Sequence, residues 1–304
     1  MPPPLRITTR NARFQQWQAL LGNRTKRQRA GEFLVHGVRP ISLAVRFDWP
    51  LTALLYDGER DLSTWAREVL SSQPALRAVR AALATELMVE LGERDEVPEL
   101  IAVAALPPDS MARLASGAAS RAGTRPTGST LGVVFDRPTG PGNIGTLIRS
   151  ADAFGAEGVV VTGHAADPYD PRSVRASAGS LFAVPVIRVA SHREVLAWRD
   201  TLPPAGRPQL VATDEHGDVD VADVDLTGPT YVVIGNETNG LSAAWRDACD
   251  VTVRIPMTGS ASSLNAASAA TVVLYEAARQ RATNASARPG ELRTGRRAED
   301  RSAS

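Results

Sequence analysis

The chain has 304 residues, 43% of them apolar and 5% aromatic, with a formal net charge of +1. That length accommodates two ordinary domains, each with its own core. No apolar run approaches the roughly 18 residues of a membrane span, and the single Cys249 excludes an internal disulfide framework or a multi-cysteine metal site.

The charge is unevenly spread. Residues 1–31 carry Arg6, Arg10, Arg13, Arg24, Lys26, Arg27 and Arg29 and no Asp or Glu. This is the footprint of a polyanion-binding segment, with a solvated basic tail as the plainer alternative. The segment lacks the apolar core of a secretion signal, so a cytoplasmic location is expected. From Glu32 the pattern predicts a short strand running through His36-Gly37 into a helix over Ile41–Val45. Strands follow at Leu51–Tyr56, Ala75–Val79 and Leu100–Leu106, with helices at Leu62–Leu70 and Thr85–Leu91. Alternation of this kind predicts a small α/β domain over residues 32–106. His36 has no accompanying His, Cys or acidic cluster and reads as structural. Residues 107–130, rich in Pro, Gly, Ser and Ala, read as a linker with one short helix near Ser110–Leu114.

From Leu131 the strands become wholly apolar: Leu131–Phe135, Gly158–Val161, Val184–Val189, Leu210–Thr213, Tyr231–Ile234 and Val251–Ile255. Val/Ile-rich runs without alternation predict a parallel sheet buried on both faces. Helices are expected at Ile144–Phe154, Pro171–Ser180, Arg193–Thr201, Ser242–Ala248 and Leu264–Gln280. From Thr283 onward the composition predicts a disordered tail. Cys249, after Trp245 in an Ala-rich helix, reads as an inert thiol. In a parallel sheet the ligand crevice lies beyond the carboxyl ends of the strands. Three polar loops fall there: Asp136–Asn143, Gly235–Gly240 and Met257–Asn265.

These loops carry the chemistry. Gly142-Asn143-Ile144-Gly145 opens a helix that Asn143 would cap, with Arg149 further along it. Ile234-Gly235-Asn236-Glu237-Thr238-Asn239-Gly240 places an acid between two glycines at a strand end. Ile255-Pro256-Met257-Thr258-Gly259-Ser260-Ala261-Ser262-Ser263-Leu264-Asn265 leads into a small-residue helix, with Ser262 or Ser263 as a natural N-cap. Leu264, Ala267, Thr271, Leu274 and Ala278 recur along one helix face. There is no Gly-x-Gly-x-x-Gly and no Walker A sequence, and no histidine pairs with a serine elbow.

Read together and in order, the three stretches resemble the signature motifs of the SPOUT superfamily, specifically its SpoU (TrmH-like) 2′-O-ribose branch, over about residues 130–282. Residues 33–106 are similar to the ribosomal-protein-like RNA-binding domain often attached to that branch, although His36 stands where a Glu commonly precedes the Gly. The layout looks like the thiostrepton-resistance group that acts on 23S rRNA. The resemblance implies a C-terminal parallel sheet closed by a deep trefoil knot, with S-adenosylmethionine held at Thr213, Ile234, Gly235, Ile255 and Leu264. It implies a homodimer through the C-terminal helix, whose small-residue face suits close packing, and it calls for no metal. Arg149 becomes the main catalytic residue, supported by Asn143, Glu237, Ser263 and Asn265. Arg175 joins Arg24, Lys26, Arg27 and Arg29 as RNA contacts. Because a guanidinium is a poor base, Arg149 reads best as a clamp on the target phosphate. A neutral Arg or the phosphate itself could take the proton. Glu237 would either pair with Arg149 or shape its loop. A tRNA methyltransferase and a non-catalytic RNA-binding or ribosome-assembly factor are the alternatives.

Overall fold

The computed structural model describes residues 3–92, 97–114 and 130–286. The first of its two sheets has five strands: β1 (Leu5–Ile7), β2 (Glu32–His36), β3 (Leu51–Asp57), β4 (Val79–Leu83) and β5 (Leu100–Ala105), ordered β1-β4-β3-β5-β2. β1, β4 and β3 run parallel, and β5 is antiparallel to both β3 and β2. Around this sheet lie α1 (Ala12–Gly22), α2 (Arg24–Ala30), α3 (Val38–Arg46), α4 (Thr64–Ser71), α5 (Gln73–Leu76) and α6 (Thr85–Leu91).

Two expectations are corrected here. The basic segment 1–31 is no appendage: β1 adds an edge to the small sheet, and Ile7, Phe14, Trp17 and Leu20 are buried in its core. Net positive charge masked the apolar spacing of α1. The strand expected at Ala75–Val79 is instead α5 followed by β4. Pro74, with its fixed φ, suits the first turn of a helix, so the strand begins only at Val79.

The second sheet is parallel throughout, with seven strands in the order β10-β12-β9-β11-β6-β7-β8. These are β6 (Leu131–Asp136), β7 (Val159–Thr162), β8 (Val186–Val189), β9 (Gln209–Thr213), β10 (Val219–Asp220), β11 (Thr230–Ile234) and β12 (Val251–Arg254). Every residue of β6, β7 and β11 is buried, as apolar strands covered on both faces must be. On one face lie α7 (Pro141–Ala153) and the long α11 (Ala266–Ser286); on the other, α9 (His192–Thr201) and α10 (Ala243–Ala248). α8 (Pro171–Ala176) packs on α7 and on β2 of the small domain. β10, only two residues long, gives too short an apolar signal to be anticipated.

α11 runs on to Ser286, beyond the expected end at Gln280. Of the expected small-residue face, Ala267 and Leu274 are fully buried inside the chain, Thr271 shares a 2.6 Å hydrogen bond with Ser150 of α7, Ala278 is half-buried and Leu264 is exposed. The expected linker is described only to Leu114, which is buried against the large sheet. Its residues 115–129 lie outside the described residues; of the tail expected from Thr283, residues 283–286 belong instead to α11, and those from 287 onward also lie outside the described residues.

The two domains share a continuous apolar core from Phe33, Val35 and Ile41 to Tyr169, Leu181 and Phe182. The Phe33 and Tyr169 rings lie 4.9 Å apart. Beside them Arg27, only 2% exposed, donates to Asp167 at 2.8 Å and lies 3.6 Å from Asp170. Its Nη1 caps the carbonyl of Leu20 at 2.7 Å.

Candidate active site

The three polar loops meet where expected, beyond the carboxyl ends of β6, β11 and β12. A single hydrogen-bond chain joins them. Glu237, from the loop after β11, accepts from the amides of Thr139 (2.9 Å) and Gly140 (3.0 Å), from the Thr139 hydroxyl (3.1 Å), and from Asn143 Nδ2 (3.0 Å). Asn143 Oδ1 in turn accepts from Asn265 Nδ2 at 3.1 Å. Asn265 Oδ1 accepts from the amides of Ala267 and Ser268, so Asn265 caps α11.

This settles three local readings. Asn143 is not an N-cap: α7 begins earlier, with Gly140 at the cap position and Pro141 in the first turn, which frees the Asn143 side chain to bridge two loops. Ser262 and Ser263 do not cap α11 either; both are exposed in the loop, and Asn265 takes that role. Glu237 does not pair with Arg149 but ties down the start of α7. Burial opposes ionisation of Glu237, yet the Thr139 and Gly140 amides and the Asn143 side chain outweigh it and hold the carboxyl below its ordinary value.

The loop bearing Glu237 is shaped by residues that motif reading missed. Asn236 donates to the Arg137 carbonyl at 2.6 Å and accepts from the amides of Thr238 and Asn239. Arg137 is held there at φ +50°, an unusual conformation for a side chain-bearing residue. Asp136, buried at the end of β6, accepts from Thr162 at 3.1 Å and from the Ser242 amide at 3.1 Å, pinning the far end of the same loop. A polar residue within two positions of the end of an apolar run was the signal for both. Gly235 lies so close to Gly240 and Leu241 that a Cβ would meet their backbone, which explains the glycine.

Against these loops opens a cavity of about 740 Å³. Thr213, Ile234, Gly235, Ile255 and Leu264 all line it, as do Glu237 and Ser263. Its further wall is charged: Asp214, Glu215, His216 and Asp218 follow β9, and Arg246 comes from α10. Sequence spacing gave no pointer to these, because their loop has no motif of its own.

Arg149 stands on the exposed side of α7, with no hydrogen bond or ion pair among the described residues. It does not line the cavity. The basic cluster separates into different roles. Arg27 is buried in its ion pair and is withdrawn as an RNA contact. Arg24 donates to the Ala165 carbonyl at 2.6 Å across the domain seam, whereas Lys26 and Arg29 are exposed. Arg175 is half-buried at that seam. His36 meets the Leu91 carbonyl at 2.8 Å. Burial and the neighbouring Asp250 push the Cys249 thiol up to about 12, which makes it a poor nucleophile. No group of three or more His, Cys, Asp or Glu suited to a metal occurs among the described residues.

Residues 130–275 match the SpoU rRNA methylase family, and residues 11–102 match the SpoU L30e-like domain. The chain is 60% identical over 282 residues to a 23S rRNA (uridine(2479)-2′-O)-methyltransferase of Streptomyces viridochromogenes, covering 92% of this chain and 94% of that one. The crystal structure of the SpoU methyltransferase AviRb from the same organism, in complex with the cofactor AdoMet, superposes with a TM-score of 0.82 at 59% identity, covering 90% of this chain and 99% of that one. An AdoMet-bound rRNA methyltransferase from Sinorhizobium meliloti gives 0.76 at 28% identity, covering 90% and 97%.

Proposed function

The chain belongs to the SpoU rRNA methylase family, and from that premise we propose that it transfers a methyl group from S-adenosylmethionine to a ribose 2′-hydroxyl of 23S rRNA. The observation that carries the reading is the Glu237–Asn143–Asn265 chain, which fixes three loops beside one ligand-sized cavity. The cavity suits the donor. Backbone of Ile234, Gly235 and Ile255 can approach it closely, and the carboxylates of Asp214, Glu215 and Asp218 complement a ligand carrying a sulfonium and an ammonium. When bound, the methyl donor supplies an electrophilic carbon on sulfur.

The chain's own residues handle the acceptor. A ribose hydroxyl is scarcely ionised at neutral pH, so it must be oriented and its developing charge stabilised. Arg149, exposed and without a partner among the described residues, takes the target phosphate and stabilises the developing alkoxide, whose proton passes to that phosphate or to water. Asn143 and Asn265, locked by each other, orient the ribose, and Ser263, which lines the cavity, assists them. Lys26 and Arg29 add phosphate contacts further out. The deep knot, a cytoplasmic setting and a homodimer belong to the same reading. For the homodimer, the outer face of α11 supplies exposed Val272 and Tyr275, the latter edge-on to Phe154. Incubation with labelled methyl donor and separate pools of 23S rRNA and tRNA tests the assignment. Label is expected in 23S rRNA, and label in tRNA alone would overturn it.

A further inference from the structure

A second cavity, of about 480 Å³, opens along the seam between the two domains and shares no lining residue with the first. Its volume is that of a small-ligand site. The small domain contributes Arg39 of α3, Trp65 of α4, Pro98 and Glu99; the larger domain contributes Arg175 and Ala178 around the end of α8.

The chemistry of this wall is specific. Trp65 is fixed by its indole N–H, which donates to Ser42 Oγ at 2.9 Å. Arg39 is exposed, and its Nε reaches across the seam to the Ala178 carbonyl at 3.2 Å. Its other N–H groups have no partner among the described residues, so a guanidinium is held at the rim with donors to spare. Arg175, which has a partner of its own, closes the facing wall. Glu99 accepts from the Ser63 hydroxyl at 2.9 Å and from the Ser63 amide, which orients a carboxylate that retains accepting capacity. A fixed aromatic ring, a cation with donors to spare and an oriented acceptor match the base, phosphate and N–H edge of one nucleotide. Unstacked bases of RNA are recognised by this combination.

We infer that the seam cavity holds one unpaired nucleotide of the RNA substrate, its base against Trp65 and its phosphate on Arg39. The inference rests on the RNA-methylating function proposed above. Because the cavity walls come from both domains, a nucleotide seated there sets the register between the small domain and the methyl-transfer site.

Steady-state methylation of 23S rRNA by the full chain tests this with Arg39→Glu, Trp65→Ala and Trp65→Phe. Arg39→Glu and Trp65→Ala should each raise KM for RNA about tenfold, with kcat and donor affinity within about twofold of wild type. Trp65→Phe, which keeps an aromatic face, should restore most of the affinity. Should Trp65→Ala fail to fold, the exposed Arg39→Glu decides alone. Crosslinking of 4-thiouridine-substituted rRNA should in addition mark the peptide bearing Trp65. Full methylation with unchanged KM in Arg39→Glu and in every folded Trp65 variant overturns the seam site and leaves the proposed function standing. Absence of methyl transfer by the wild-type protein overturns both.

Discussion

Two charged side chains act as hubs in this molecule, and their settings are opposite. Arg27 is buried between the domains, 2% exposed, its charge met by Asp167 and Asp170. Glu237 sits at the rim of the larger cavity, half-exposed, and is held by neutral donors: two amides, a hydroxyl and Asn143. A buried ion pair has nowhere to go, since separating it strands a charge in a low-dielectric interior. A carboxylate at a wet rim can exchange partners at small cost. The seam ion pair is thus the rigid half of the contrast, and the hydrogen bonds that fix the loops around Glu237 are the half that loosens at smaller cost.

Arg27 tests the rigid half. Arg27→Ala takes the nearer of two cations from buried Asp167, leaving Arg188 at 3.8 Å, and should destabilise the fold by about 3 kcal/mol, read as a drop in the denaturant midpoint. A neutral outcome would mean that Arg188 alone meets the Asp167 charge, which would dissolve the contrast between the hubs. The second prediction concerns the adjustable half. Arg149 supports no packing, so Arg149→Ala should leave the midpoint unchanged while lowering the single-turnover rate by about 10²–10³. Donor binding, followed by calorimetry, should be unaffected. An undiminished rate would remove Arg149 from the reaction.

The same contrast explains what could be read from the sequence. The parallel sheet was legible because strands covered on both faces must be apolar throughout, and β6, β7 and β11 are. The site was legible where motif residues cluster: all five residues expected to meet the donor line one cavity. The N-terminal segment was misread because charge was counted without burial. Arg27 belongs to the same basic run as exposed Lys26 and Arg29, and only the fold distinguishes the buried cation from the wet ones. Helix starts were misread for a related reason. Asn143, Ser262, Ser263 and Asn265 are all competent caps by residue type, and the choice depends on where each chain segment turns. The charged wall from Asp214 to Asp218 was invisible because nothing in its local sequence separates it from an ordinary surface loop.

Glu237 offers the third test. Glu237→Gln keeps the shape but sets an amide N–H against donors, at a cost of about 1–2 kcal/mol after allowance for solvent at the rim. The sign of the pH effect follows from the depressed carboxyl. Its stabilising contribution is complete above the ordinary value of 4.5 and is lost as pH falls through the lower folded value. The stability gap between wild type and Glu237→Gln should therefore be constant near neutrality and narrow as pH falls below about 4.5. A gap that widened in acid would mean that Glu237 is held in its protonated form, contrary to the bonds that surround it.

The smallest of the expected stability losses separates holding a helix from aligning a substrate. Asn265 does both: Oδ1 caps α11, and Nδ2 reaches Asn143. Asn265→Ala loses both, and should cost about 1 kcal/mol. Asn265→Asp keeps the cap, and its charge favours a helix N-terminus. It nevertheless turns a carboxylate oxygen toward Asn143 Oδ1, an acceptor that cannot reverse without giving up Glu237. The Asp variant should therefore melt within about 0.5 kcal/mol of wild type and yet transfer methyl groups as slowly as the Ala variant. If Asn265→Asp is fully active, Asn265 serves only to start a helix, and the three loops do not depend on their hydrogen-bond chain to present the ribose.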